Sequence, residues 1–261
     1  MATPLLITVI DELSTWYPPG EAIEDLLTHM GAYTHALVAR WTPRWPLAAA
    51  GAWADPYTLP ADASDRLRDR GIEPLLTAAG HELAIASGVE PAAYAGALAE
   101  FVARHRFGGV NLETDLDPPL GPERAGTWVR ALVTELRERL PPETTLSLDA
   151  TMPSHREPPF AWVDEALAVD HFLVRCFEPP LAATLDRLAV TALDPGRLLI
   201  GLRVPAPGGP PPDDLVQVLR DRLELGERLA GVCVWSWATD RKLFSGRWSE
   251  TLARALPARR G

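Results

Sequence analysis

The stretch Phe107-Gly-Gly-Val-Asn-Leu-Glu-Thr-Asp115 decides the reading of the chain. Its middle, Val110 to Glu113, has the character of a buried strand. A helical pattern, Tyr94 to His105, precedes it, and Leu116-Asp-Pro-Pro119 after it must be loop. Successive strand residues point to opposite faces, so Asn111, Glu113 and Asp115 share one face and Val110, Leu112 and Thr114 the other. Three hydrogen-bonding side chains, two of them acidic, thus converge on the C-terminal end of one strand. Burying such a row unpaired is expensive, so the row is either satisfied by partners or lines a cavity.

Outward from this strand, the same pattern recurs. Apolar strand-like runs are expected at Leu5–Ile10, Thr34–Ala39, Ile72–Ala78, Thr145–Asp149, His171–Cys176, Leu198–Leu202 and Ala230–Trp235. Helical spacing is expected at Glu21–Met30, Asp62–Arg70 (closed by Gly71), Pro91–His105, Pro122–Leu140, Trp162–Val169, Pro180–Val190, Asp213–Leu223 and Ser245–Leu256, with Ser245 as N-cap. Ala79-Gly80-His81 reads as the start of a loop. Near-continuous apolar strands alternating with helices mean a parallel sheet covered by helices. Eight such repeats predict an α/β fold, a (β/α)8 TIM barrel formed as a single domain over residues 1–261. A doubly wound open sheet is the rival architecture.

Composition narrows the function. The chain has 261 residues, 47% hydrophobic, enough to bury a sizeable core. A formal net charge of -10 argues against nucleic acid as a partner, because phosphate contact needs basic surface. No apolar run reaches the ~18 residues of a membrane span. The N-terminal Met-Ala-Thr-Pro-Leu-Leu-Ile-Thr-Val-Ile has no basic region and no small-residue cleavage site, so a cytoplasmic location is expected, with export by another route left open; a monomer is expected as well. Cys176 and Cys233 lie within apolar runs and are expected as free buried thiols. His81-Glu82 and His155 stand apart from any zinc-like spacing, and Pro207-Gly-Gly-Pro210 lacks the Lys-Ser/Thr of a phosphate loop. No metal and no cofactor are expected.

In a barrel of this kind, chemistry gathers at the C-terminal ends of the strands. The two-residue period offers Asn111, Glu113 and Asp115 from the fourth strand, and Ser147 and Asp149 from the fifth. The sixth offers Arg175 and Phe177 together if its terminal aromatic points inward, the seventh Gly201 and Arg203, and the eighth Cys233 and Trp235. Arg40 ends the second strand and Thr77 stands near the end of the third. Acidic groups would face arginines over a tryptophan, and carboxylates in such company can be set apart for acid and base work. The plainer alternative is an ion-pair network that plugs the top of the barrel.

These residues resemble glycoside hydrolase family 18, the chitinase-like barrels. The family's strand-four signature is D-x-x-D-x-D-x-E, and Gly108-Gly-Val-Asn-Leu-Glu-Thr-Asp115 superposes on it without a gap. Leu146-Ser-Leu-Asp-Ala-Thr-Met-Pro153 resembles the family's fifth strand. Asp170-His-Phe-Leu-Val-Arg-Cys-Phe-Glu178 resembles the sixth, which usually reads D-x-x-x-V-M-T-Y-D. Leu199-Ile-Gly-Leu202 resembles the seventh, and Gly231-Val-Cys-Val-Trp-Ser-Trp237 the eighth, whose tryptophan floors the sugar site. The Gly-Val-Asn spelling is also met in spore-cortex and peptidoglycan-directed branches. The chain departs from the family at several positions. Asp115 stands where the family has its proton-donating Glu, Glu113 where it has the Asp that holds the substrate acetamide, Gly108 and Asn111 where it has the first two Asp, and Arg175 and Phe177 where it has Met and Tyr.

The resemblance implies a glycosidase acting on N-acetylhexosamine-containing oligo- or polysaccharides, of chitin or peptidoglycan type. Asp115 would donate the proton and Glu113 would orient the acetamide, with Asn111 and Asp149 in support and Trp235 stacked on the sugar. Met152, Arg175, Phe177, Arg203 and Trp41 would line the substrate site, and Trp45, Trp53, Tyr57 and Trp237 would extend it. Trp128 and Trp162 are expected in the core. The altered carboxylates also fit a catalytically inactive carbohydrate-binding or scaffold protein on the same barrel, since fold does not fix function.

Overall fold

A computed structural model describes residues 5–10, 21–29, 33–41, 62–114, 122–150, 166–177, 185–186, 193–205, 214, 216–218, 221 and 229–256. Eight parallel strands close into a barrel in sequential order: β1 Leu5–Val9, β2 His35–Trp41, β3 Glu73–Ala78, β4 Gly109–Thr114, β5 Thr145–Ala150, β6 His171–Cys176, β7 Leu198–Arg203 and β8 Gly231–Trp235. Helices α1 Glu21–His29, α2 Ala63–Arg68, α3 His81–Ala86, α4 Pro91–His105 and α5 Pro122–Arg139 stand between the first five strands. α6 Trp237–Phe244 and α7 Arg247–Ala255 follow β8. The open-sheet alternative is excluded, because β8 pairs with β1 as well as with β7. The expected helices at Pro180–Val190 and Asp213–Leu223 fall largely outside the described residues; of the one expected at Trp162–Val169, residues 166–169 are described and are not helical.

Two apolar layers hold the barrel. The outer one lies between strands and helices and includes Val38, Leu76, Val110, Leu112, Leu146, Leu148, Val174 and Val234. The inner one is small: Ile7, Val9, Leu37, Leu75, Leu173, Leu199 and Cys233. The missing apolar volume inside the barrel belongs to β4 and β5, whose inward residues are polar. Close packing at the start of β4 demands glycine. A Cβ on Gly109 would come within 2.6 Å of the Thr145 carbonyl oxygen, a backbone atom with little room to yield. A Cβ on Gly108 would lie 1.8 Å from the Glu73 carboxylate, which fills that space instead and pairs with Arg68 at 2.8 Å.

Three local expectations need correction. Residues 81–86 form a short helix rather than a loop. Residues 237–244 form a helix ahead of the expected last one. Ser245 is not the N-cap of the last helix; it adopts a left-handed conformation (φ 55°) and ends α6. Gly246 occupies the N-cap position of α7 and has no side chain to offer. Buried Asp240 in α6 supplies the missing acceptors, taking the Trp248 and Ser249 amides at 3.0 Å each. These are two of the orphan N–H groups of the first turn. Cys176 and Cys233 are both free and buried, as the apolar runs around them imply. Burial pushes the Cys176 thiol up to about 12.

Candidate active site

The inward residues of β4 and β5 are held side by side by the sheet register. Asn111 is opposite Ser147, and Glu113 is opposite Asp149. The Ser147 hydroxyl donates to Asn111 Oδ1 at 2.9 Å, which fixes the lower rung of this ladder. Above it stand two carboxylates on neighbouring strands, with side-chain exposures of 8% for Glu113 and 2% for Asp149. Like charges at such a spacing repel, and burial removes the water that would screen them.

Arg175 resolves this conflict. Asp149 is level with Leu173 on β6, so Arg175 begins one inward position nearer the mouth and its side chain lies across both carboxylates. Its Nε donates to Asp149 Oδ2 at 2.6 Å, and its Nη2 to Glu113 Oε1 at 2.8 Å. Gly201, level with Arg175 on β7, keeps this side uncrowded: a Cβ there would sit 3.3 Å from the Arg175 Cα. The guanidinium carbon lies 5.8 Å from the Trp235 ring centroid and 6.0 Å from that of Phe177, and the two rings are 5.6 Å apart. Cation–π attraction of this kind adds to the ion pairs where water is scarce. Beneath them Cys233 is fully enclosed. Burial first, then the Asp149 charge, raise its proton affinity, with Arg175 opposing, so it stays a neutral thiol.

The structure therefore brings Asn111, Glu113, Asp149, Arg175, Phe177 and Trp235 together on one side of the mouth. Arg203 is opposite Trp235 in the β7–β8 register and is exposed. Asp115, Met152, Trp45, Trp53, Tyr57, His155 and Trp162 lie outside the described residues, as does the Arg40 side chain. Two tryptophans expected at the site sit elsewhere. Trp41 is only 2% exposed and packs in the outer layer, edge-on to Tyr94 at 5.2 Å and 6.4 Å from Phe101. The reason is a bulge in β2. Leu37 pairs with Leu75, but Ala39 pairs with Leu76, so the parity that aims Leu37 inward is reversed before Trp41. Trp237 is likewise 2% exposed in the outer layer, because it opens α6 instead of continuing the strand. Trp128 is a core residue as expected, its indole donating to the Val89 carbonyl at 2.9 Å. Ser147 was recognisable as inward-facing from strand parity, but its bond to Asn111 depends on register between strands. Among the described residues, no three His, Cys, Asp or Glu side chains gather in the manner of a metal site.

The fold is that of the chitinase-like TIM barrels. Among solved structures, a GH18 chitinase from Pseudoalteromonas aurantia matches with 18% identity and a TM-score of 0.74, covering 97% of this chain and 100% of that one. A family GH18 chitinase from Cycas revoluta, in complex with allosamidin, matches with 13% identity and a TM-score of 0.70, covering 97% and 99%. The Bacillus cereus spore cortex-lytic enzyme SleL matches with 11% identity and a TM-score of 0.68, covering 100% of this chain and 76% of that one. The sequence matches no family model and no curated protein.

Proposed function

We propose that this chain is a glycoside hydrolase acting on N-acetylhexosamine-containing glycans of chitin or peptidoglycan type. The observation that carries the proposal is the pairing of Glu113 with Asp149 at the strand ends, beside Trp235, with Asp115 two residues after Glu113 in the sequence. That chitinases and a cortex-lytic enzyme share this barrel supports the choice of substrate. In the proposed reaction the substrate's acetamide oxygen attacks the anomeric carbon. Asp115 gives its proton to the glycosidic oxygen, and that carbon–oxygen bond breaks. Water then attacks the anomeric carbon, its proton passes to the Asp115 carboxylate, and the acetamide re-forms. Glu113 orients the acetamide N–H, and Trp235 offers its face to the sugar.

Turnover of a chromogenic N-acetylglucosamine oligomer tests this. Asp115→Asn abolishes turnover and largely spares ligand binding, because it removes the transferable proton at nearly constant volume. Asp115→Glu extends the acid by one methylene, about 1 Å, and raises turnover about tenfold or more, since misplacement of that size costs on the order of 10²-fold. Glu113→Gln loses less than Asp115→Asn. The reverse order, with Glu113→Gln inactive and Asp115→Asn active, makes Glu113 the acid and overturns the assignment.

One observation favours a second reading, glycan binding without hydrolysis. Glu113 is ion-paired with Arg175 at 2.8 Å, so the negative charge that would stabilise a cationic intermediate formed by the acetamide is partly offset. Retained sugar binding with no turnover in either the native chain or Asp115→Glu selects this reading.

A further inference from the structure

Glu113 has one methylene more than an aspartate at the same place, and with it one more freely rotating bond. A carboxylate that must meet an acetamide N–H at a fixed position loses precision with each added torsion. The structure shows what removes that freedom. Arg175 is itself fixed by Asp149, through Nε at 2.6 Å and Nη2 at 2.5 Å, and its Nη2 then holds Glu113 Oε1 at 2.8 Å. Asp149 is 1% exposed, so the anchoring end of this chain of bonds is the more deeply buried one. The planar guanidinium bridges two carboxylates at once, which a lysine ammonium, a point charge on a flexible stem, does far less well.

We infer that Asp149 and Arg175 are a positioning pair, which orients the Glu113 carboxylate for the acetamide and so sets the preference for N-acetylated over 2-hydroxy sugars. This inference rests on the function proposed above, in which Glu113 meets the acetamide. The pair acts through Glu113 and transfers no proton. Its electrostatics permit a test that separates positioning from structure. Removing Arg175 alone takes the shared cation away from two buried carboxylates, a costly change, whereas removing both members of a buried ion pair can be nearly neutral. Glu113, Asp149 and Arg175 together carry a net charge of −1, and Glu113 alone carries the same.

The experiment compares native chain, Arg175→Met, Arg175→Lys and the double variant Asp149→Ala/Arg175→Met. For each, affinities for the β-1,4 trimer of N-acetylglucosamine and for the β-1,4 trimer of glucose are measured, together with the thermal midpoint. The native chain prefers the acetylated trimer by about tenfold or more, the worth of a hydrogen bond to a charged group. Arg175→Met lowers the midpoint and brings the preference to within about threefold. The double variant recovers most of the midpoint but not the preference, and Arg175→Lys fails to restore it. A double variant that discriminates as the native chain does shows the pair to be merely structural and overturns the inference. A native chain that binds the acetylated trimer but does not prefer it overturns the inference alone. A native chain that binds neither trimer overturns the proposed function, and the inference with it.

Discussion

His171 opens β6 with an imidazole largely removed from water, and its Nδ1 has no hydrogen-bond partner among the described residues. Burial lowers its proton affinity from the ordinary value of 6.5; Asp170 opposes the shift and Arg197 adds to it. The folded chain therefore favours the neutral imidazole more than the unfolded chain does. As pH falls through 6.5 toward the lowered folded value, the unfolded chain takes up its proton first, so the stability is present above that window and lost below it. His171→Gln should shrink the difference in urea-unfolding free energy between about pH 7.5 and about pH 5. An unchanged difference would assign the acid sensitivity to other groups. At the site itself, single residues were legible where strand parity sufficed, as for Glu113, Asp149 and Arg175. Trp41 was expected at the site from the resemblance alone, and the bulge in β2 that turns it outward has no signature within His35–Trp41 itself.

Between elements, the junction of α6 and α7 is joined by one carboxylate. Gly246 gives the chain the left-handed turn it needs (φ 83°) but leaves the first amides of α7 without a cap. Asp240, six residues earlier, takes both the Trp248 and Ser249 amides. Asp240→Ala should cost about 1–3 kcal/mol in urea unfolding, the penalty of leaving buried donors unsatisfied. Asp240→Asn should cost less, since one acceptor survives. Equal stability of the native and alanine forms would mean that water replaces the cap. The expectation of a single helix from Ser245 misread this junction. A serine before an amphipathic run is a sound N-cap signal, but here it ends the helix before.

At the scale of the whole barrel, closure depends on the seam between β8 and β1, where Leu5 is level with Gly231. A Cβ on Gly231 would fall 2.0 Å from the Leu5 carbonyl oxygen, so the two strands cannot keep their spacing with any other residue there. Gly231→Ala should destabilise by about 3 kcal/mol or more, the upper range for overpacking, read as a lowered denaturation midpoint. Gly96→Ala in α4 is the internal control. A Cβ there meets nothing within 4 Å, and the change should stabilise by about 0.4–1 kcal/mol. If Gly231→Ala is tolerated as well as Gly96→Ala, the seam is not where closure is decided.

Closure into a barrel rather than an open sheet was decided by the pairing of β8 with β1; by itself the sequence determined the eight strands and the row of polar side chains on the inward side of β4 and β5. Each follows from a local rule, the two-residue alternation of a strand and the apolar spacing of a helix. Only the tertiary structure decided which partner each charged group takes. It set Glu113 level with Asp149, laid Arg175 across both, turned Trp41 outward and gave the Asp240 carboxylate to the next helix. These outcomes depend on register between strands distant in sequence. A displacement of one residue there exchanges inside for outside, and no local pattern records it.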